Sequence, residues 1–436
     1  MAGPANSERK VVITGMGVVS PIGLGLDDFS ASVREGRSGI RAITTLPAVP
    51  VPGVIGGEVA DFNPSIFART REQKKAIRVM CREIQFGYAA AILALDHGGI
   101  KEGAVAPERL GVEFGANLMF STPEDLAEGC FASMRDGDPD FHHEMWAESG
   151  MPKLFPLWLL KYLPNMPACH IGITADARGP NNSITIDEAS FNLVIGEALR
   201  VIARGHADVM ITGATGTRLH PLKSIHARLW DPLASGFARP EEASRPFDAR
   251  RNGQVVSEAA GVMILENADH AVRRGATIYG TVLGAGSSCV APQGVPDIQA
   301  ALTLAMRAAL RDAGLTPADI GHINAHGLSD PQVDLAEARA IHAVFGDLGG
   351  KVPVFAPKSL LGNSAAGSGA VELLASLVGL QHGFIPATLN QTDPDSRCGL
   401  NVVREPLVPK NSRFLKINVT RLAQASAVVV EGVSAA

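Results

Sequence analysis

The chain has 436 residues, 46% hydrophobic and 19% charged, which excludes a disordered chain and leaves room for two to four ordinary domains or one large duplicated one. A net charge of −5 gives no footprint for nucleic acid or a membrane surface. The five cysteines (Cys81, Cys130, Cys169, Cys289, Cys398) are scattered without metal-ligand spacing or pairing logic, so a cytoplasmic protein with no metal site and no cofactor is expected.

The opening MAGPANSERK lacks an apolar stretch, so no signal peptide is expected. Residues 10–15 (KVVITG) are a β-branched run that breaks on the Gly and Pro of MGVVSPIG, a strand and then a loop. Residues 72–96 carry helical periodicity with Lys74, Lys75 and Arg78 on a polar face. RLGVEFGAN is a strand. Residues 121–170, with Pro152, Pro156, Pro164 and Pro167, read as an insertion of short helices. GPNNSITIDEASFNLVIGEALRVI, from residue 179, reads as a strand, a tight turn and a long helix over 191–204. ADVMITGAT, GVMILE and IYGTVLGAGSS follow as strands. Then come helix 297–314, strand IGHINAHG, helix 332–345, strand VPVFAPKS, helix 366–382, and the closing strands RFLKINVT and ASAVVVEG. GAVELLASLVGL is too short to span a bilayer and contains Glu372, so it reads as a helix buried in the core. Strands alternate with helices, and several strands are apolar on both faces. This predicts an α/β fold with helices on both sides of the sheets. The rhythm runs once through residues 1–268 and again through 269–436.

In α/β folds chemistry gathers beyond the carboxyl ends of strands. Four such ends stand out: the turn at Asp187–Glu188, NAHGLSDPQVDLAEA with His326, APKSLLGNSAAGSGA with Lys358 and Asn363, and NVTRLAQAS from residue 418. A histidine and an amide from two strands could polarise a carbonyl oxygen. Each also has a plainer reading. His326 could be a satisfied core histidine, Asn363 a turn residue, and SAAGSGA a tight packing face. Glu188 fits a capping box with Thr185, at a helix start where an acid gains roughly 0.3–1 kcal/mol.

VVITGMGVVSPIG, GEALRVIARGHADVMITGAT, SRPFDARRNGQVVSEAAGVMILE, NAHGLSDPQVDLAEA and PKSLLGNSAAGSGAVELL, taken together and in order, resemble the β-ketoacyl-ACP synthases of fatty-acid and polyketide assembly. The resemblance covers nearly the whole chain. It implies a thiolase-like five-layer αβαβα sandwich of two duplicated halves, and a dimer built across the strand before the nucleophile turn. It also implies a Cys–His–His site in which the cysteine carries the acyl chain and both histidines stabilise an enolate. By position the nucleophile falls on Glu188, the first histidine on His326, the second on Asn363, the lysine on Lys358 and its acidic partner on Glu337. The glycine-rich loop is replaced by NVTRLAQAS, with Leu422 in place of the gating Phe. In GQVVSEAAG, where the family usually has Gly-Phe-Val-x-Gly-Glu-Gly-Ala-Gly, Glu258 remains but Ser257 and Ala259 replace glycines.

A carboxylate in place of the cysteine could form only a labile mixed anhydride, and its charge would repel a malonyl carboxylate. The leading expectation is therefore a non-condensing partner subunit of an active ketosynthase, as a homodimer or heterodimer. One alternative is an acyl-ACP-acting enzyme, or decarboxylase, that uses Glu188 as general base with His326 and Asn363. Another is an acyl or acyl-ACP binding module. Cys169 is nearest in sequence to the turn but reads as packing. Arg71, Lys74 and Lys75 match the family segment that presents basic residues to acyl carrier protein.

Overall fold

The computed structural model describes residues 10–46 and 55–433. Residues 1–9 of the opening segment lie outside them. The first round of strands is β1 (Val11–Ser20), β2 (Leu110–Ala116), β3 (Asn181–Ile184), β4 (Val209–Thr217) and β5 (Glu258–Asn267). The second is β6 (Gly280–Cys289), β7 (His322–Asn324), β8 (Pro353–Phe355), β9 (Asn401–Val402), β10 (Arg413–Val419) and β11 (Gln424–Gly432). All join one 12-stranded sheet in the order β9-β8-β7-β10-β11-β6-β1-β5-β4-β2-β3, with Gly23–Leu24 paired to β1 as the remaining strand.

In the first round β3, β2 and β4 are parallel, and β5 and β1 follow antiparallel. The second round repeats the pattern: β8, β7 and β10 are parallel, then β11 and β6 antiparallel, with β9 added at the edge. The rounds join where Val11–Ile13 pairs with Gly280–Val282.

Parallel strands need long crossovers, and helices supply them. In chain order the main ones are α1 (Arg71–Ala76), α2 (Arg82–His97), α3 (Ser190–Ala203), α4 (Pro221–Trp230), α5 (Ile298–Asp312), α6 (Pro331–Phe345), α7 (Lys358–Leu361) and α8 (Ala366–Gln381). α2 covers β1, β4 and β5 from outside, and α5, with α6 packed on it, covers β6, β10 and β11. α3 and α8 lie between the rounds and touch strands of both. The result is the five-layer αβαβα sandwich, with α8 buried from Ala366 to Leu380. No helix among the described residues is long and apolar enough to cross a membrane.

The helix expected over 72–96 is broken. α1 ends in a 3-10 turn at Ile77–Val79, Met80 is extended, and α2 restarts at Arg82. The break is held by Gln85, whose Nε2 donates to the carbonyls of Ile77 and Met80 that a continuous helix would have satisfied. Residues 121–170 form a run of short helices, from Pro123–Ala132 to the start of Met166–Ala175.

One backbone contact ties the first round to the central layer. A Cβ on Gly216, at the end of β4, would sit 2.0 Å from the Ser364 carbonyl and 2.9 Å from the Gly367 amide. One on Gly367 would sit 2.2 Å from the Ala259 carbonyl. The small residues of SAAGSGA are therefore required for close packing. Gly216→Ala is expected to lower stability by roughly 1–3 kcal/mol through overpacking. Gly172→Ala, in a helix where the new methyl meets only ordinary contacts from 3.4 Å outward, should be neutral or stabilising by up to about 1 kcal/mol. Urea midpoints of the two variants check this; equal losses would contradict it.

Candidate active site

After β3 the chain turns through Asp187, at φ +35°, into a short 3-10 turn and then α3. No side chain caps this turn, so the expected Thr185–Glu188 capping box does not form. Ser190 Oγ instead accepts the Ile186 amide at 2.8 Å. That frees the Glu188 side chain to turn inward, where the residue is 8% exposed and its Oε1 accepts from Asn363 Nδ2 at 2.8 Å. Arg218 Nη1 lies 3.9 Å from the same oxygen.

Asn363 sits between α7 and α8 and is clamped by its backbone. Its amide donates to the Val255 carbonyl at 2.8 Å, and its carbonyl accepts from Ser257 at 2.9 Å. Its Oδ1 accepts from the Ala365 amide and Ser368 Oγ, each at 3.1 Å, which fixes the orientation of the side-chain amide. Nδ2 then donates to Glu188 at 2.8 Å and to Gln254 Oε1 at 2.7 Å. Gln254 Oε1 also accepts from Arg218 Nη1 at 2.7 Å, and Arg218 Nη2 donates to Asp231 at 2.9 Å. A closed relay runs from Glu188 through Asn363, Gln254 and Arg218 to Asp231. Both amide hydrogens of Asn363 are used in it, so none is left for a substrate oxygen. The Asp231 carboxyl is pushed upward by burial and by the Glu188 charge, against the pull of Arg218.

His326 stands at the end of β7 and is 1% exposed. The expected pairing of Lys358 with Glu337 is corrected by the structure. Lys358 Nζ lies 2.6 Å from Glu372 Oε1. Glu337 instead accepts the backbone amides of His326 and Gly327 at 2.7 and 2.8 Å, because the tight turn after β7 leaves those donors without strand partners. Burial pushes the Glu337 carboxyl up to about 7, against those two amides. Burial, then the ammonium groups of Lys358 and Lys416, hold the His326 imidazole well below its usual range.

Glu188, His326 and Thr420 face one cavity of about 130 Å³, whose lining also includes the exposed Asp187, Trp230 and Arg421. Leu422 is not part of it and is 55% exposed. β10 and β11 are joined by a tight hairpin, closed by Ala423 donating to Thr420 and by Ala423 at φ +56°, which turns Leu422 to solvent. Thr420 and Arg421 line the cavity instead, and Arg421 stands 6.0 Å from the Trp230 ring centroid. Arg71, Lys74 and Lys75 lie exposed on α1, outside the cavity lining.

Sequence reasoning missed Arg218, Gln254, Asp231, Glu372 and Lys416. Gln254 had a signal: it stands where the family pattern has Phe. The others come from separate strands and helices and share no spacing.

A family model for the β-ketoacyl synthase N-terminal domain matches residues 8–271, and one for the C-terminal domain matches residues 279–392. The chain belongs to the β-ketoacyl synthase family. It is 34% identical over 415 residues to the 3-oxoacyl-[acyl-carrier-protein] synthase 2 of Coxiella burnetii, covering 94% of each. To the protein of that name from Synechocystis it is 33% identical over 423 residues, covering 95% of each. Among solved structures it resembles the ishigamide ketosynthase/chain length factor at TM-score 0.84 and 26% identity, covering 98% of this chain and 100% of that one. A β-ketoacyl synthase from Burkholderia phymatum shares the fold at TM-score 0.85 and 24% identity, with the same coverage.

The relay gives a pH-dependent prediction for this ketosynthase homologue. Asn363→Asp would place a second carboxylate within 2.8 Å of Glu188. Two such groups cannot both ionise, so the pair's native pKa rises above its unfolded value. The variant's deficit against wild type should be small below about pH 4 and grow as pH rises through neutrality. Urea unfolding of both proteins at acid and neutral pH checks this; a deficit independent of pH would contradict it.

Proposed function

We propose that this ketosynthase homologue is non-condensing and serves as the partner subunit of an active ketosynthase in fatty-acid or polyketide assembly. The observation that carries the reading is the relay at the nucleophile turn. Glu188 stands where a thioester-forming cysteine is needed, and Asn363, the second catalytic position, spends both amide hydrogens on Glu188 and Gln254. The tight β10–β11 hairpin offers no glycine amide in place of the family loop. The likeness to a ketosynthase/chain length factor supports the same reading.

Partner assembly is read at β3. It is the last strand of the sheet, paired only with β2, so one backbone edge is open to a strand from another subunit. The partner is a second copy or a cysteine-bearing ketosynthase. Carrier-protein docking is assigned to Arg71, Lys74 and Lys75, which α1 presents to solvent. The chain is read as two halves, 1–268 and 269–436, of a cytoplasmic protein that needs no cofactor. A second reading, with Glu188 as general base on an acyl-carrier substrate, is favoured by the elaborate support around His326. It predicts turnover by the chain alone.

Glu188→Cys separates a one-residue loss from a rebuilt site. The variant should fold, losing about 1–3 kcal/mol with the Asn363 hydrogen bond. It should form no β-ketoacyl product from acyl- and malonyl-carrier substrates. The missing oxyanion donor alone is expected to cost about 100- to 1000-fold in rate. Robust product from Glu188→Cys by itself would sink the reading.

A further inference from the structure

Lys416, on β10, is a fully buried cation to which the proposed function assigns no role. Its Nζ lies 2.6 Å from Glu372 Oε2 and donates to the Ile417 carbonyl at 2.8 Å. Lys358 holds the other oxygen of Glu372 at 2.6 Å. One carboxylate thus carries two ammonium groups, directly behind His326. Lys358 Nζ also donates to the His326 carbonyl at 2.9 Å and lies 3.4 Å from its Nδ1. Asn418 Nδ2 donates to Glu372 Oε2 at 3.1 Å and lies 3.5 Å from the same ring nitrogen. The Asn418 amide is oriented by Asn192, which donates to its oxygen at 3.2 Å. His326 Nδ1 therefore faces only donors. It must accept, and the ring proton belongs on Nε2.

We propose that Lys416 is a positioning residue for His326, keeping the imidazole a neutral Nε2–H donor so that the cavity between His326 and Glu188 takes the carbonyl oxygen of an acyl thioester instead of closing as an ion pair. The charge count supports this. Behind the ring, Lys358 and Lys416 face Glu372 and Glu337, the latter with its carboxyl pushed up to about 7 by burial. Around it, Asp187, Glu188, Asp231 and Asp330 line the cavity with Arg218 and Arg421, and Asp334 accepts the Leu328 amide on the turn after His326. Without Lys416 the rear cluster loses one positive charge beside the imidazole, while Glu188 stays across the cavity. That loss favours imidazolium. A protonated His326 would then be drawn to Glu188. Burial pushes the Lys416 ammonium itself down to about 8, against the pull of Glu372. The support it gives is therefore present at neutral pH and fades above that value.

The inference rests on the reading of the chain as a handler of acyl thioesters, and the test keeps the two apart. The full-length protein is labelled with 15N-histidine, and His326 is assigned with His326→Gln. Long-range 1H–15N spectra are followed from pH 5 to 8 in wild type, Lys416→Met and the charge-keeping Lys416→Arg. Wild type should show an Nε2–H ring that does not titrate. Lys416→Met should bring the His326 titration upward by at least about one unit, and Lys416→Arg should not. The neutral thioester S-hexanoyl-N-acetylcysteamine should bind Lys416→Met about tenfold more weakly than wild type near pH 6. An Nδ1–H tautomer or imidazolium in wild type at pH 7 overturns the proposal without any variant having to fold, as does a Lys416→Met protein whose His326 is unchanged. The stated ring behaviour with no thioester binding in wild type would uphold the positioning role and count against the thioester.

Discussion

The close approach of β4 to the start of α8 is the constraint on which the site depends. Gly216 and Gly367 let two backbones pass where a single methyl group would collide with a carbonyl. That contact fixes the Gly362–Ala365 corner, and with it Asn363, against the turn that carries Glu188. The amide can then reach the carboxylate at 2.8 Å only because α3 and α8 share the central layer. Fold and site are linked by this packing, and the chemistry of the site follows from which side chains the corner brings together.

Two polar assemblies flank the cavity and differ in character. The relay from Glu188 to Asp231 is partly exposed and leads toward the mouth, where Arg421 and Trp230 stand. The cluster of Lys358, Glu372 and Lys416 behind His326 is buried, with each ion pair at 2.6 Å. Buried charges are tolerated only when paired and hydrogen-bonded, and here Asn418 and the Ile417 carbonyl complete the set. The first assembly is what carries the proposal that condensation is lost. The second is what carries the proposed role of His326 as a neutral donor.

Much of the architecture was legible because it is local. β-Branched runs ending on glycine gave the strands, and 3.6-residue periodicity gave α3, α5, α6 and α8 within a residue or two. The break at Met80 was not legible, because Gln85 satisfies the freed carbonyls and no Gly or Pro marks it. The position of Glu188 followed from its motif, but its side chain did not: the capping reading fails because Ser190 satisfies the turn and Asn363, 175 residues away, takes the carboxylate. Glu337 was assigned to Lys358 by its position in the family pattern. The actual partner, Glu372, lies in α8, where an apolar run made its acid look incidental. Leu422 was placed by its position in the family's loop motif alone, and the hairpin geometry turns it outward.

The central claim is that a carboxylate held in a closed relay has replaced a nucleophile. The most direct test is to incubate the purified full-length chain with acyl- and malonyl-carrier protein, alone and with a cysteine-bearing ketosynthase. The intact mass of the chain and the β-ketoacyl product are then followed together. The account predicts an unchanged mass, no product from the chain alone, and product only when the second ketosynthase is present. An acyl adduct on the Asp187–Ser190 turn, or β-ketoacyl product from the chain alone, would contradict it.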